Sequence, residues 1–212
     1  MQATQSSLKS AMSVANIINQ SANTPVTGFP GSDIGNQLAQ VATLIKLNRD
    51  AGLGAQRQIY FVSQGGYDTH SAELPTQAQL LSDLANAMAA FDTYVSGPLG
   101  MADQVVTFTQ SEFNRTFQGN GNAGADHAWG EHAMIMGPIN GGQIYGQFPY
   151  LILQGPDDSG DRGNWIPTTP ADQYGVTLAK WFGLTNPADF SYVFPNWANW
   201  TAAGYQPMSF LG

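Results

Sequence analysis

Each of the three histidines in this 212-residue chain lies close to an acidic residue. His70 follows Asp68 by two positions. His127 directly follows Asp126, and His132 comes five residues after His127. Imidazole and carboxylate groups together suit Zn²⁺, Mn²⁺ or Fe²⁺, and they also suit general acid–base chemistry near neutral pH. One Asp-x-His pair in a turn is often only a local cap, but two pairs and a third histidine predict a shared polar site that binds a divalent metal ion or carries out acid–base chemistry.

A second polar motif carries the candidate catalytic residues Ser111, Glu112 and Arg115. Arg115 is the only arginine or lysine between Arg57 and Arg162. Such a lone cation can bind an anionic substrate group, or it can form a structural ion pair with Glu112 or with a buried aspartate. Ser111 is placed as a nucleophile would be, but the chain has no Gly-x-Ser-x-Gly elbow, and most serines in such turns are caps. The motif is therefore consistent with three roles: an anion clamp by Arg115, a nucleophile at Ser111, or a purely structural role.

The elements around these motifs predict a parallel sheet. Residues 59–63 form a continuous apolar run bounded by Gly65-Gly66, which favours a buried strand. Apolar residues then repeat every three or four positions from Leu80 to Val95, which predicts a helix, and residues 105–109 form a second buried run. Strand, helix and strand in this order favour a right-handed βαβ unit. The loops at the carboxyl ends of its strands would bring both polar motifs to one crevice.

Further elements follow from the same hydrophobic patterns. They are a helix at residues 5–20, a helix carrying Leu38, Val41 and Ile45 that ends near Asp50, a strand at residues 150–153, a helix after Thr168-Thr169-Pro170 that ends at Gly183, and an aromatic-rich tail over the last twenty residues. Because no internal repeat or linker separates these elements, residues 1–212 are expected to form a single α/β domain.

The composition narrows the classes of function. Charged residues make up only 10% of the chain, below the usual ~25%, and the net charge is −8. An acidic surface with few lysines repels phosphate backbones and anionic lipids, so binding to nucleic acid or to a membrane surface is discounted. No apolar run approaches the length of a membrane span. The chain has no cysteine, which excludes disulfides, thiolate nucleophiles and zinc–thiolate sites.

Several short segments form a pattern that extends over roughly residues 55–200. They are Gly65-Gly66-Tyr67-Asp68-Thr69-His70, Ser111-Glu112-Phe113-Asn114-Arg115-Thr116, Asp126-His127, Gly141-Gly142 through Tyr145-Gly146, Ile166-Pro167-Thr168-Thr169, Asp172-Gln173-Tyr174, Trp181-Phe182-Gly183 and Val193-Phe194-Pro195-Asn196. In order and spacing they resemble a bacterial domain-of-unknown-function family of Tat-exported, sulfatase-like proteins.

The resemblance implies an alkaline-phosphatase-like fold, a three-layer α/β/α sandwich with a mostly parallel sheet. It also implies a periplasmic or extracellular location, although no export signal is visible at the start of this chain. Carried over from that superfamily, Asp126 and His127 would bind one ion, and Asp68, His70 and His132 would bind a second. Zinc is the first expectation, with manganese, calcium or magnesium as alternatives. Two such ions would clamp the attacking and leaving oxygens of an ester displacement.

The chain also departs from the pattern of that superfamily. Its members carry a nucleophilic Ser or Thr and a further metal-binding Asp in an N-terminal portion, whereas no strand ending in such a site is predicted before Ile59. The chain is therefore expected to correspond to the C-terminal half of the family domain. A missing half would leave sheet edges or apolar faces exposed, which predicts a homodimer or poor solubility.

Three functions are consistent with these observations. The first is a metal-dependent hydrolase of phosphate or sulfate esters, in which Arg115 clamps a small anionic substrate. The second is a metal-free serine-type carboxylesterase that uses Ser111 with a histidine base. The third is a non-catalytic binding protein on the same fold.

Overall fold

The computed structural model describes residues 12, 15–16, 19, 25–50, 52 and 55–211. The helix predicted for residues 5–20 lies largely outside the described residues. The chain divides into two compact units. The first comprises residues 1–66 and 77–102, and the second comprises residues 67–76 and 103–212.

Two long helices, α1 (Asp33–Asp50) and α2 (Glu73–Ser96), supply most of the buried apolar side chains of the first unit. Each has an acidic residue in its first turn, Asp33 or Glu73, where a negative charge interacts favourably with the helix dipole. The buried residues recur at the spacing of one helix face, as the sequence predicted. They include Leu38, Val41 and Ile45 in α1, and Met88, Phe91 and Val95 in α2. Both helix predictions are confirmed.

The strand predicted for residues 59–63 is wrong. This segment belongs to no β-ladder, and Ile59 and Phe61 are 77% and 90% exposed. The main chain of this segment is bonded to the side chain of Gln37 instead. Gln37 Nε2 donates to the Ser63 carbonyl at 2.8 Å, and the Ser63 N–H donates to Gln37 Oε1 at 2.9 Å. An apolar run cannot identify a strand by itself, because strand pairing depends on partners that lie far away in the sequence.

The second unit contains four two-residue strands, and each pairs in the antiparallel sense. They are β1 (Thr107–Phe108), β2 (Asn114–Arg115), β3 (His127–Ala128) and β4 (Ile135–Met136). β1 pairs with β4, and β2 pairs with β3, so one pair is nested within the other along the chain. The inner pair has a register that places Arg115 opposite His127.

The prediction of a three-layer α/β/α sandwich with a mostly parallel sheet is therefore wrong. Among the described residues, both β-ladders consist of two antiparallel strands. Residues 105–109 do contain a strand, β1, but its partner is β4 rather than a parallel neighbour. Residues 150–153 form no strand, and their apolar side chains are exposed. An antiparallel pair needs only a reversal of the chain, whereas a parallel pair needs a long crossover connection.

Three helices at the C-terminal end form a hydrophobic core within the second unit. The buried residues Val176, Phe190 and Trp197 lie at its centre. The first of these helices begins after Pro170 and ends at Gly183, whose φ of 118° lies in the left-handed region that favours glycine. The helix predicted there, with its glycine stop, is confirmed. The helices are α3 (Ala171–Phe182), α4 (Pro187–Val193) and α5 (Trp197–Ala202).

Within the described part of the chain, none of the helices combines the length and apolar character needed to cross a bilayer.

The carboxylate of Asp158 organises a loop of the second unit. Its Oδ2 accepts from the N–H groups of Gln154 and Gly163, both at 3.0 Å. Its Oδ1 accepts from those of Gly160 and Asn164, at 3.1 and 2.9 Å. Desolvation raises the pKa of this carboxyl group, but the four N–H donors outweigh it and hold the pKa below its ordinary value.

We predict that Asp158→Asn lowers the midpoint of thermal unfolding at pH 7, because an amide offers one acceptor oxygen and no charge. Since the pKa of Asp158 is lowered in the folded protein, its contribution is complete above the ordinary value of 3.8 and is lost as the pH falls through the folded-state pKa. The difference between wild type and variant should thus be constant between pH 6 and 8 and shrink below about pH 4. Thermal melts followed by circular dichroism would measure it, and a difference that grows in acid would contradict this account.

Candidate metal centre

Three potential metal ligands converge in the second unit. Asp68 Oδ1 lies 3.0 Å from His70 Nε2 and 3.0 Å from His127 Nε2. The two Nε2 atoms lie 3.1 Å apart. These three atoms form a nearly equilateral triangle, and all three residues are exposed. We call Asp68, His70 and His127 the ligand triangle.

Two of these residues lie in the segment that precedes α2. The Thr69 N–H bonds to the Tyr67 carbonyl at 2.9 Å, closing a three-residue turn with Asp68 at its centre. Thr69 is buried, and its carbonyl accepts from the Ala125 N–H at 3.2 Å. The residue between the two ligands therefore packs inward while Asp68 and His70 face solvent, which gives a physical reason for the Asp-x-His spacing.

The third ligand is positioned by the β2–β3 ladder. Arg115 and His127 are directly opposite each other, so their side chains lie on the same face. Arg115 Nη1 donates to Asp68 Oδ1 at 2.6 Å, and its Nη2 bonds to the Ala125 carbonyl. The side chain of Arg115 is only 9% exposed. The Phe113 ring stacks against the His127 imidazole, with centroids 4.2 Å apart. The ladder thus holds both the third ligand and the cation that orients Asp68.

The pKa of Asp68 lies below its ordinary value. Desolvation raises this pKa, but hydrogen bonds with His127 and Arg115, and the charges of both histidines, lower it by more. Asp68 is consequently a carboxylate at neutral pH, which is the form that binds a metal ion.

Asp126 lies beside the ligand triangle. Its Oδ2 pairs with Arg162, and its Oδ1 lies 3.4 Å from Asn120 Nδ2 and 3.5 Å from His70 Nδ1. The Arg162 hydrogen bond is the largest cause of the lowered pKa of Asp126, followed by that from Asn120. Asp126 therefore faces the ring nitrogen of His70 that points away from the triangle.

A glycine-rich loop, residues 119–124, holds the backbone of His70. Asn120 Nδ2 donates to the His70 carbonyl at 3.0 Å, and Asn120 Oδ1 accepts from the Gly124 N–H at 3.2 Å. Gly124 packs so closely that a Cβ there would lie 2.2 Å from the carbonyl carbon of His70. Sequence reasoning did not identify Asn120 or Arg162 as parts of the site. The alternation Gly119-Asn120-Gly121-Asn122 could have indicated a structural role for Asn120, because an Asn side chain is suited to cap a turn between glycines.

The structure places the other predicted site residues outside the ligand triangle. The His132 ring stacks on Phe148, with centroids 5.0 Å apart. Ser111 Oγ donates to the Phe113 carbonyl at 3.0 Å, and the Ser111 N–H donates to Glu131. Glu112 is exposed. The structure thus groups His127 with Asp68 and His70, whereas the resemblance implied that His127 pairs with Asp126 and that His132 joins Asp68 and His70.

The donor set of the triangle fits a divalent ion. Two imidazole nitrogens and one carboxylate oxygen are the ligands that zinc, manganese and ferrous iron accept. The three atoms lie close enough to one another for a single ion to bind all of them. Because the three residues are exposed, further positions on an ion would be open to water or substrate.

We predict that Gly124→Ala destabilises the protein by about 1–3 kcal/mol, because the added methyl group must displace the main chain of His70. Gly121→Ala is the matched control, since a Cβ at Gly121 meets nothing within 4 Å. Urea unfolding of both variants gives the two free energies of unfolding. Equal values for the two variants would show that the loop does not pack on His70 as described.

Comparison with known proteins places the chain in a family. No curated protein and no solved structure matches it. A family model described as protein of unknown function (DUF1501) matches residues 31–156. The matched range includes the ligand triangle, Arg115 and Asp126, and it ends before Arg162. Because this range covers more than half of the 212 residues, the chain belongs to the DUF1501 family.

Proposed function

We propose that this protein is a metal-dependent hydrolase of phosphate or sulfate esters that binds one divalent ion, zinc in the first instance, through Asp68, His70 and His127. The observation that carries the proposal is the convergence of three ligand atoms at mutual distances of 3.0, 3.0 and 3.1 Å. The resemblance to sulfatase-like exported proteins supports the ester class, and it supports a periplasmic or extracellular location.

Hydrogen bonds alone explain poorly why the three atoms of the ligand triangle lie so close together. Asp68 Oδ1 already accepts a hydrogen bond from Arg115 at 2.6 Å. Both Nε2 atoms lie 3.0 Å from the same oxygen and 3.1 Å from each other. If both carried a proton, they would join Arg115 as a second and third donor to one oxygen, and a nitrogen without a proton would turn its lone pair toward that anionic oxygen. A bound cation would instead be held by Asp68 Oδ1 and by the lone pairs of the two Nε2 atoms. The crowding therefore supports a metal site over a purely structural cluster.

The charges around the triangle suit an anionic substrate. Arg115 pairs with Asp68, and Arg162 pairs with Asp126, so the four side chains sum to zero. A divalent ion would then give the centre a positive charge in a chain whose net charge is −8. Such an ion lowers the pKa of a bound water and stabilises negative charge on a phosphoryl or sulfuryl oxygen. Arg115 orients Asp68 and adds its own buried positive charge.

The esterase that would use Ser111 has less support. Its hydroxyl is directed at the Phe113 carbonyl, at 3.0 Å, rather than at an imidazole nitrogen. Ser111 would have to change partners before a histidine could accept its proton.

The first test is the metal content of protein purified without chelator and without a metal-affinity step. We expect about one ion per chain in the wild type and almost none in His127→Ala, because the triangle loses one of three ligands. His132→Ala is the matched control and should retain the ion, since His132 stacks on Phe148 instead. Equal metal content in wild type and His127→Ala would contradict the site. Loss of the ion in His132→Ala would instead support the two-ion arrangement.

The second test is turnover of p-nitrophenyl phosphate and p-nitrophenyl sulfate. We expect hydrolysis of at least one substrate by the wild type, its loss after chelation, and its return on adding zinc or manganese. His127→Ala should lose activity by at least ~100-fold, whereas Ser111→Ala should keep most of it. Cleavage of p-nitrophenyl acetate that survives chelation and requires Ser111 would favour the esterase. Bound metal without turnover of any ester would favour a binding protein.

A further inference from the structure

His70 presents its two ring nitrogens to two different carboxylates. Its Nε2 belongs to the ligand triangle, 3.0 Å from Asp68 Oδ1. Its Nδ1 lies 3.5 Å from Asp126 Oδ1. A histidine that binds a metal ion through one nitrogen commonly donates the N–H of the other nitrogen to a carboxylate, which fixes the tautomer and the ring orientation.

Asp126 is held rigidly enough for this task. Its N–H donates to Thr116 Oγ1 at 3.1 Å, and its carbonyl accepts from the Thr116 N–H at 2.8 Å. Arg162 occupies Oδ2, so Oδ1 is the oxygen that faces His70. Asn120 lies 3.4 Å from the same Oδ1 and also bonds to the His70 carbonyl, so it joins the two residues a second time.

We propose that Asp126 is a positioning residue of the metal centre: it holds the ring proton of His70 on Nδ1, so that Nε2 faces the ion with its lone pair. This role rests on the metal-dependent function proposed above. It differs from direct ligation by Asp126, which the resemblance implies. Arg162 contributes by fixing the other oxygen of Asp126.

The position of Asp126 favours this indirect role. The ligand atoms of Asp68, His70 and His127 all lie within 4.8 Å of one another, and Asp126 is not part of that group. One of its oxygens is committed to Arg162, and the other faces Nδ1, on the opposite side of the His70 ring from the triangle. To bind the same ion, Asp126 would have to leave both partners.

The tautomer of His70 tests the proposal without any metal. Long-range ¹H–¹⁵N spectra of the metal-free protein at pH 8 distinguish a proton on Nδ1 from one on Nε2, and His70→Gln assigns the signals. We expect Nδ1–H in the wild type and a shift to Nε2–H in Asp126→Asn, because Arg162, a donor, retains the amide oxygen and leaves the amide NH₂ to face Nδ1. Asp161→Asn removes an exposed carboxylate next to Arg162 and should leave the tautomer unchanged.

Zinc affinity provides the second readout, measured by competition with a chromophoric chelator. We expect Asp126→Asn to bind zinc ~10–100-fold more weakly than wild type with the same stoichiometry, and Asp161→Asn to bind like wild type. Three results would overturn the proposal: Nε2–H in the wild type, unchanged affinity in Asp126→Asn, or complete loss of zinc as in His127→Ala, which would make Asp126 a ligand.

This experiment distinguishes a failure of the proposed metal-dependent function from a failure of the proposed role of Asp126. If the wild type binds no zinc but carries Nδ1–H on His70, the metal-dependent function is wrong while the hold of Asp126 on the imidazole is upheld. If the wild type binds zinc but carries Nε2–H, the metal site is upheld and the role of Asp126 is overturned. Even if Asp126→Asn does not fold, Nε2–H in the wild type would overturn the role of Asp126, and Nδ1–H would support it.

Discussion

The ion pair between Arg115 and Asp68 is the interaction on which the candidate site depends. Arg115 is fixed by the β2–β3 ladder and is almost fully buried, whereas Asp68 lies on a turn before α2. Their contact at 2.6 Å therefore joins the segment that carries two residues of the ligand triangle to the ladder that carries the third. A buried guanidinium is costly without a partner, so the surrounding structure favours the arrangement in which Asp68 faces the histidines.

The loop and ladder around this ion pair restrict the remaining freedom of the histidines. Gly124 brings the loop main chain against His70, and Asn120 bonds to the His70 carbonyl. Phe113 stacks on His127 from the ladder side. Ligands that are already oriented lose little conformational entropy when they bind an ion, and this preorganisation raises affinity without any additional bond. The site is thus built from backbone packing as much as from ligand chemistry.

The two aspartates of the candidate site, Asp68 and Asp126, differ in which histidine nitrogens they face. Asp68 faces the shared space between the two imidazoles, and Asp126 faces the outer nitrogen of one imidazole. Each is paired with an arginine and has a lowered pKa: for Asp68, desolvation is outweighed by hydrogen bonds with His127 and Arg115, and for Asp126 the Arg162 hydrogen bond is the largest cause. Both are ionised aspartates next to histidine, so the different roles proposed for them, cation binding for Asp68 and orientation of His70 for Asp126, depend only on their positions.

The sequence by itself determined the helices α1, α2 and α3, because their apolar spacing and the glycine stop at Gly183 are local properties. It also named the three residues of the ligand triangle among five candidate metal ligands, since histidine is rare here and each histidine of the triangle follows an aspartate within two positions. Only the tertiary structure decided how the strands pair, which histidines meet, and that Asn120 and Arg162 belong to the site. Strand pairing and ligand grouping depend on contacts between residues that lie far apart along the chain, such as His70 with His127, and a local pattern carries no information on those distances.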